Sequence, residues 1–117
     1  TGIRPGFIKL GADAGPLPEV HGTLVRAAAR VHRASGLTIA AHSGDGVAAL
    51  EALEIVRAEG LDGSAFVWVH ANAEADRGRH VRAAEAGAWL KFDGIGPRTV
   101  ERHVDLVRAM KDAGRLD

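Results

Sequence analysis

Four residues whose side chains can hold a metal or move a proton each stand at or near the end of a short apolar run. Lys9 follows Gly6-Phe7-Ile8, His42 follows Leu37-Thr38-Ile39-Ala40-Ala41, His70 follows Phe66-Val67-Trp68-Val69, and Asp93 follows Ala88-Trp89-Leu90-Lys91-Phe92. A lone histidine at a strand end is commonly a hydrogen-bonded structural residue, and a lone lysine can snorkel to water. Four such endings in register read differently, because they converge on one rim. Neutral imidazoles from consecutive strands suit a first-row metal such as zinc. A buried amine loses its proton readily and becomes a nucleophile. Lys9 could then attack a carbonyl as a Schiff base, or capture carbon dioxide to give a carbamate that bridges two metals. Asp93 is open to three roles: a further ligand, a general base or a hydrogen-bonding anchor for its loop.

The elements that must position these residues can be read from the same pattern. Apolar runs of this length read as parallel strands buried on both faces, and amphipathic stretches separate them. Pro18-Glu19 opens a first helix, with Val20, Leu24, Ala27, Ala28 and Val31 as its expected apolar face and Gly36 as its stop. Ser43-Gly44-Asp45-Gly46 turns into a second helix bearing Val47, Leu50, Leu53, Ile55 and Val56, which ends at Gly60. A third helix is expected over roughly 79–86, before Gly87, and a fourth opens at Thr99 and carries Val100, Val104, Leu106, Val107 and Met110. The pattern is βα repeated four times, with the polar strand ends 33, 28 and 23 residues apart. It predicts an α/β fold with a parallel sheet and outer helices, either an open doubly wound sheet or part of a TIM (β/α)8 barrel. Ligands drawn from strand after strand favour the barrel, and a whole barrel needs about 250 residues, so residues 1–117 are expected to form about half of one.

Composition narrows the partners. With 15 basic and 15 acidic residues the formal net charge is zero, which favours neither nucleic acid nor an acidic membrane surface, and points to a small-molecule substrate. The absence of cysteine excludes disulfides and thiolate metal sites. No apolar run approaches the ~20 residues of a membrane span, and Thr1-Gly2-Ile3-Arg4-Pro5-Gly6 has no signal-peptide pattern, so a cytoplasmic protein is expected. The chain opens without a methionine, which points to a natural polypeptide that begins further upstream.

Taken in order, Gly6-Phe7-Ile8-Lys9, Leu24-Val25-Arg26-Ala27-Ala28-Ala29, Ile39-Ala40-Ala41-His42-Ser43, Val67-Trp68-Val69-His70 and Phe92-Asp93-Gly94-Ile95-Gly96 resemble the phosphotriesterase family of the amidohydrolase superfamily. The resemblance implies a (β/α)8 barrel of which this chain covers strands four to seven. It also implies a binuclear centre of two divalent ions, Zn2+ or else Mn2+, Fe2+ or Co2+. Carboxylated Lys9 would bridge them, His42 and His70 would bind one of them, and water activated there would attack a phosphotriester, lactone or related ester. Asp93 would orient substrate or a ligand histidine. Two family features are missing: the His-x-His pair of the first strand and the aspartate of the last, for which Asp117 is no substitute because no apolar strand precedes it. The chain alone offers ligands for one metal, through Lys9, His42 and His70.

Several other residues carry expectations. Lys91 shares a strand face with Asp93 and is expected at the core or rim rather than on substrate. Asn72, Glu74 and Asp76 fall on the loop after His70 and read as solvated. His21, His32, His80 and His103 are expected at the surface of helices. Two competing functions remain: a non-catalytic half-barrel that homo-oligomerises through unpaired sheet edges, and a metal-free aldolase forming a Schiff base on Lys9.

Overall fold

In the computed structural model, which describes residues 2–116, strands and helices alternate through the chain. The elements are β1 (Phe7–Gly11), α1 (Glu19–Ser35), β2 (Thr38–His42), α2 (Gly46–Ala58), β3 (Phe66–Val69), α3 (Arg77–Glu85), β4 (Trp89–Lys91) and α4 (Val100–Asp112). Short 3-10 turns at Gly63–Ala65 and Ala71–Ala73 flank β3 and were not legible in the apolar pattern. Among the described residues no helix is long and apolar enough to cross a membrane. Asp117 lies outside the described residues.

The boundaries have local causes. Gly36, at φ 75°, closes α1 in the left-handed region and donates its N–H to the His32 carbonyl at 2.7 Å. The Asp45 carboxylate caps α2 by accepting from Val47 N at 2.6 Å. Asp76 caps α3 through Gly78 N at 2.8 Å, which starts that helix two residues earlier than the sequence pattern suggests. Thr99 opens α4 without capping it. Its hydroxyl instead accepts from Gly96 N and donates to the Gly94 carbonyl, both at 2.9 Å, and so braces the turn before the helix.

The four strands form one parallel sheet in the order β1-β2-β3-β4, and consecutive helices touch along the same side. A doubly wound sheet reverses its strand order and is covered on both faces; this sheet does neither. Ile39, Ala41, Phe66 and Trp68 point into one core with Val25, Ala28 and Ala29 of α1, Ala49, Ala52, Leu53 and Val56 of α2, and Ala83 of α3. The opposite face is open. Phe7 and Trp89 are 56% and 58% exposed there, and Lys9, Thr38 and Lys91 are exposed beside them. The arrangement is an arc of barrel wall whose inner face has nothing across from it.

This openness corrects two expectations. β1 and β4 are not buried on both faces, and Lys9 stands in solvent rather than in a low-dielectric core. Only part of the apolar face expected on each end helix packs: Ala28 of α1 and Leu106 and Met110 of α4 are buried as expected, and the rest is not. α1 packs through Gly22, Val25, Ala28 and Ala29, leaving Val20, Leu24 and Val31 exposed, and α4 packs through His103, Leu106 and Met110, leaving Val100, Val104 and Val107 exposed. Small residues let α1 approach the sheet closely. The exposed stripes lie on the two terminal helices, where neighbouring βα units would sit in a closed ring.

Candidate functional site

Strand register sets how the four expected residues meet. Gly11 pairs with His42, His42 with Val69, and Val69 with Lys91, so Lys9, His42 and Lys91 share the open inner face. Lys9 pairs with Ala40 and therefore lies two residues below the rung of His42. His70 follows the last residue of β3, and Asp93 follows β4 by two residues. The four endings thus share one end of the sheet without sharing one rung, which corrects the expectation of strict register.

The two histidines stand edge to face with ring centroids 4.9 Å apart. Removal from water holds the His42 imidazole below its ordinary pKa, aided by neighbouring Lys9, His70 and Lys91 and opposed by Asp93. A neutral ring with free lone-pair density is what a metal ligand requires. Among the described residues the His42 ring makes no hydrogen bond. His70 has φ 67° and ψ 26°, the one non-glycine residue among the described residues in the left-handed region, a conformation that costs about 1 kcal/mol or more. That backbone turns its ring over the rim, where Nδ1 lies 3.0 and 2.9 Å from the two oxygens of Asp93.

Asp93 is a carboxylate held between the His70 imidazole and the Lys91 ammonium. The hydrogen bond from His70 is the main cause of its lowered pKa, opposed by burial and reinforced by Lys91 Nζ at 3.1 Å. With Nδ1–H donating to Asp93, His70 presents Nε2 as its free lone pair, the arrangement found where a carboxylate orients a metal-binding imidazole. The residues therefore fit a nitrogen-ligated metal: two adjacent imidazoles, one of them oriented, on the face that carries Lys9. Among the described residues no three His, Cys, Asp or Glu side chains converge, so a three-ligand set from this chain requires Lys9 as well.

Loop-to-loop hydrogen bonds run around this rim. Asp45 accepts from Gly15 N at 3.0 Å, tying the loop after β1 to that after β2. Glu74 accepts from Gly46 N at 2.8 Å, Asp76 N at 2.8 Å and Arg79 at 2.9 Å, tying the loop after β2 to that after β3. Asn72 Oδ1 accepts from Asp93 N at 3.0 Å, and Arg102 donates to the Asn72 carbonyl, tying the loop after β3 to β4 and α4.

Comparison with known proteins bears on the whole of this arrangement. The model of the phosphotriesterase family matches residues 1–117. The chain belongs to the phosphotriesterase family. It is 26% identical over 121 residues to the phosphotriesterase homology protein of Escherichia coli, covering 100% of this chain and 41% of that protein. To its Mycobacterium tuberculosis counterpart it is 29% identical over 121 residues, covering 100% and 37%. The chain thus spans about two fifths of these curated relatives. Among solved structures, the Escherichia coli protein with phosphate in its active site superposes with a TM-score of 0.86 at 26% identity, over 97% of this chain and 41% of that one. A mutant organophosphorus hydrolase from Deinococcus radiodurans gives 0.85 at 26%, over 98% and 37%. A lactonase from Listeria monocytogenes gives 0.87 at 24%, over 98% and 36%, a likeness of fold.

In this member of the family three polar residues whose sequence positions suggest solvent, Glu74, His80 and His103, are buried at the rim. Glu74 is buried; burial would raise its pKa, but the amides of Asp76 and Gly46 and the Arg79 guanidinium outweigh that and bring it to about 2. Gly46 must be glycine for this contact, since a Cβ there would stand 2.7 Å from the Glu74 carboxylate and 2.7 Å from Arg79 Cδ. His80 is buried, not exposed. It packs against Trp68 and Phe92 and donates Nε2–H to the Ala71 carbonyl at 2.7 Å, and burial holds its pKa down. His103 is 5% exposed and sits under the loop of Asp93. Each looked like a helix or loop residue free to face water. The signal available was their place in the first turns after a strand or in a helix start, where buried backbone groups need partners. Lys91 is at the rim as expected, exposed and paired with Asp93, and Asp76 is an exposed cap.

Proposed function

We propose that the chain supplies strands four to seven of a metal-dependent (β/α)8 hydrolase acting on a phosphotriester, lactone or related ester, residues 1–117 being one partial barrel domain. The observation that carries this reading is the pair His42 and His70, 4.9 Å apart on the rim above Lys9, with Asp93 on His70 Nδ1. Family membership and the organophosphorus hydrolase neighbour support the reaction class.

In this reading His42 and His70 bind one divalent ion through ring nitrogens. Lys9, carboxylated by addition of its amine to carbon dioxide with loss of a proton, would add an anionic oxygen ligand to the site. The bound metal pair, Zn2+ or a similar ion, supplies Lewis acidity and a water whose pKa is lowered to about 7. Asp93 holds the tautomer of His70, and Lys91 holds the second oxygen of Asp93. Phe7 and Trp89, on the open inner face at the strand starts, would pack into the interior of the closed barrel beneath the site. The His-x-His pair and the last-strand aspartate would come from other strands of the complete barrel.

The test is a chimera in which residues 1–117 replace the matched segment of the Deinococcus organophosphorus hydrolase. A soluble, metal-loaded chimera should hydrolyse an organophosphate or a lactone, and Lys9→Ala in the same chimera should lose at least a hundredfold. A folded, metal-loaded chimera inactive on both classes, or one indifferent to Lys9→Ala, overturns the reading.

The open sheet also favours a second reading, in which this chain acts as a half-barrel that associates with a second copy. The unpaired edges of β1 and β4 and the exposed stripes on α1 and α4 support it.

A further inference from the structure

Asp93 lies beyond the last ladder bond of β4 and is followed by Gly94 at φ 72°, so neither the sheet nor its neighbour fixes its direction. Yet both peptide groups flanking its Cα are tied. Its N–H donates to Asn72 Oδ1 at 3.0 Å, from the turn that follows His70, and its carbonyl lies 2.8 Å from His103 Nε2, from α4. The other ring nitrogen of His103, Nδ1, is 2.8 Å from the Thr99 carbonyl within its own helix. Two elements that share no strand thus clamp one residue on either side of its side chain. With both peptide planes held, the direction of the Asp93 Cα–Cβ bond is fixed, and its carboxylate meets His70 Nδ1 and Lys91 Nζ.

We propose that Asn72 and His103 are positioning residues of the site: they orient the Asp93 peptide so that its carboxylate fixes His70 as the Nδ1–H tautomer, with Nε2 presented on the rim. The proposal rests on the metal-ligand reading of His70 for its use, but not for its test. A merely structural role would have His103 tie α4 to the sheet and Asn72 close a turn, and the tautomer of His70 would not depend on either.

The readout is the long-range 1H–15N spectrum of the metal-free chain with 15N-labelled histidine. It is recorded well above the ordinary imidazole pKa of about 6.5, where each ring has one proton and its tautomer is resolved. In the parent, His70 should carry its proton on Nδ1. Asn72→Leu and His103→Leu should each shift His70 toward the Nε2–H form and weaken Zn2+ binding about tenfold to a hundredfold, the usual effect of losing a partner behind a metal-binding histidine. Asn72→Asp keeps an oxygen acceptor and His103→Gln keeps a donor near the Nε2 position, so both should retain the Nδ1–H form. If His103→Leu fails to fold, Asn72→Leu, on a partly exposed turn, carries the test. Leucine variants with native amide spectra and an unchanged His70 tautomer overturn the proposal. A tautomer that responds in a parent that binds no Zn2+ supports the proposal and removes the metal reading instead.

Discussion

The Glu74 carboxylate is the joint between the two histidine loops, and removing its charge should measure how firmly the rim is held. It is 8% exposed, and its pKa falls from 4.5 to about 2 through the amides of Asp76 and Gly46 and the Arg79 guanidinium, against the cost of burial. A folded-state pKa below the unfolded one means stability that is present above about pH 4.5 and lost as pH falls toward 2. About 2.5 units at about 1.36 kcal/mol each gives a contribution on the order of 3 kcal/mol at neutral pH. Glu74→Gln keeps the shape, loses one acceptor oxygen and leaves Arg79 facing a neutral amide. Urea unfolding followed by the fluorescence of buried Trp68 should place the variant's midpoint about 1–2 M below the parent at pH 7. Near pH 2, where Glu74 is protonated in the unfolded chain and about half protonated in the folded one, most of the charge's contribution is gone and the two midpoints should nearly converge. Midpoints within about 0.3 M at pH 7, or a gap that persists undiminished at pH 2, would refute the assignment of that stability to the Glu74 charge.

Three further expectations follow from the packing. A Cβ on Gly63 would stand 1.9 Å from the Ala86 carbonyl oxygen, so Gly63→Ala must separate the start of β3 from the end of α3; a cost of about 2–3 kcal/mol should lower Tm by about 10 °C, and a drop under about 2 °C contradicts the contact. At His70 the left-handed backbone reverses the usual preference, so His70→Gly should be more stable than His70→Ala by about 1 kcal/mol in chemical denaturation, the opposite order showing that no strain is stored there. Sedimentation of the isolated chain should show concentration-dependent self-association that Phe7→Lys with Trp89→Lys suppresses, and a strictly monomeric parent would count against the open face as an association surface.

Strand order and the gathering of Lys9, His42, His70 and Asp93 toward one end of the sheet could be read from the sequence because both depend on local periodicity. An apolar run ended by a polar residue, repeated four times between helices, admits few arrangements. The choice of barrel over doubly wound sheet also held, since an unreversed order covers only one face with helices. What periodicity could not convey was which stripe of a helix meets the sheet. In α1 the stripe of Val20, Leu24 and Val31 has larger side chains than that of Gly22, Val25, Ala28 and Ala29, yet close approach selects the smaller one. Buried polar residues were the other gap. Glu74, His80 and His103 serve backbone groups left without ladder partners at the rim, and those groups become visible only once the loops are folded. Lys9 read as buried because its neighbours are apolar, and its exposure follows from the missing wall across the sheet.

The central claim, that Lys9, His42 and His70 form one metal site, is tested most directly by elemental analysis. The purified chain is offered Zn2+ and bicarbonate, freed of excess, and compared with Lys9→Ala treated identically. The account predicts about one bound ion per chain in the parent and none in the variant. No retained zinc in the parent, or equal retention in both, would contradict it.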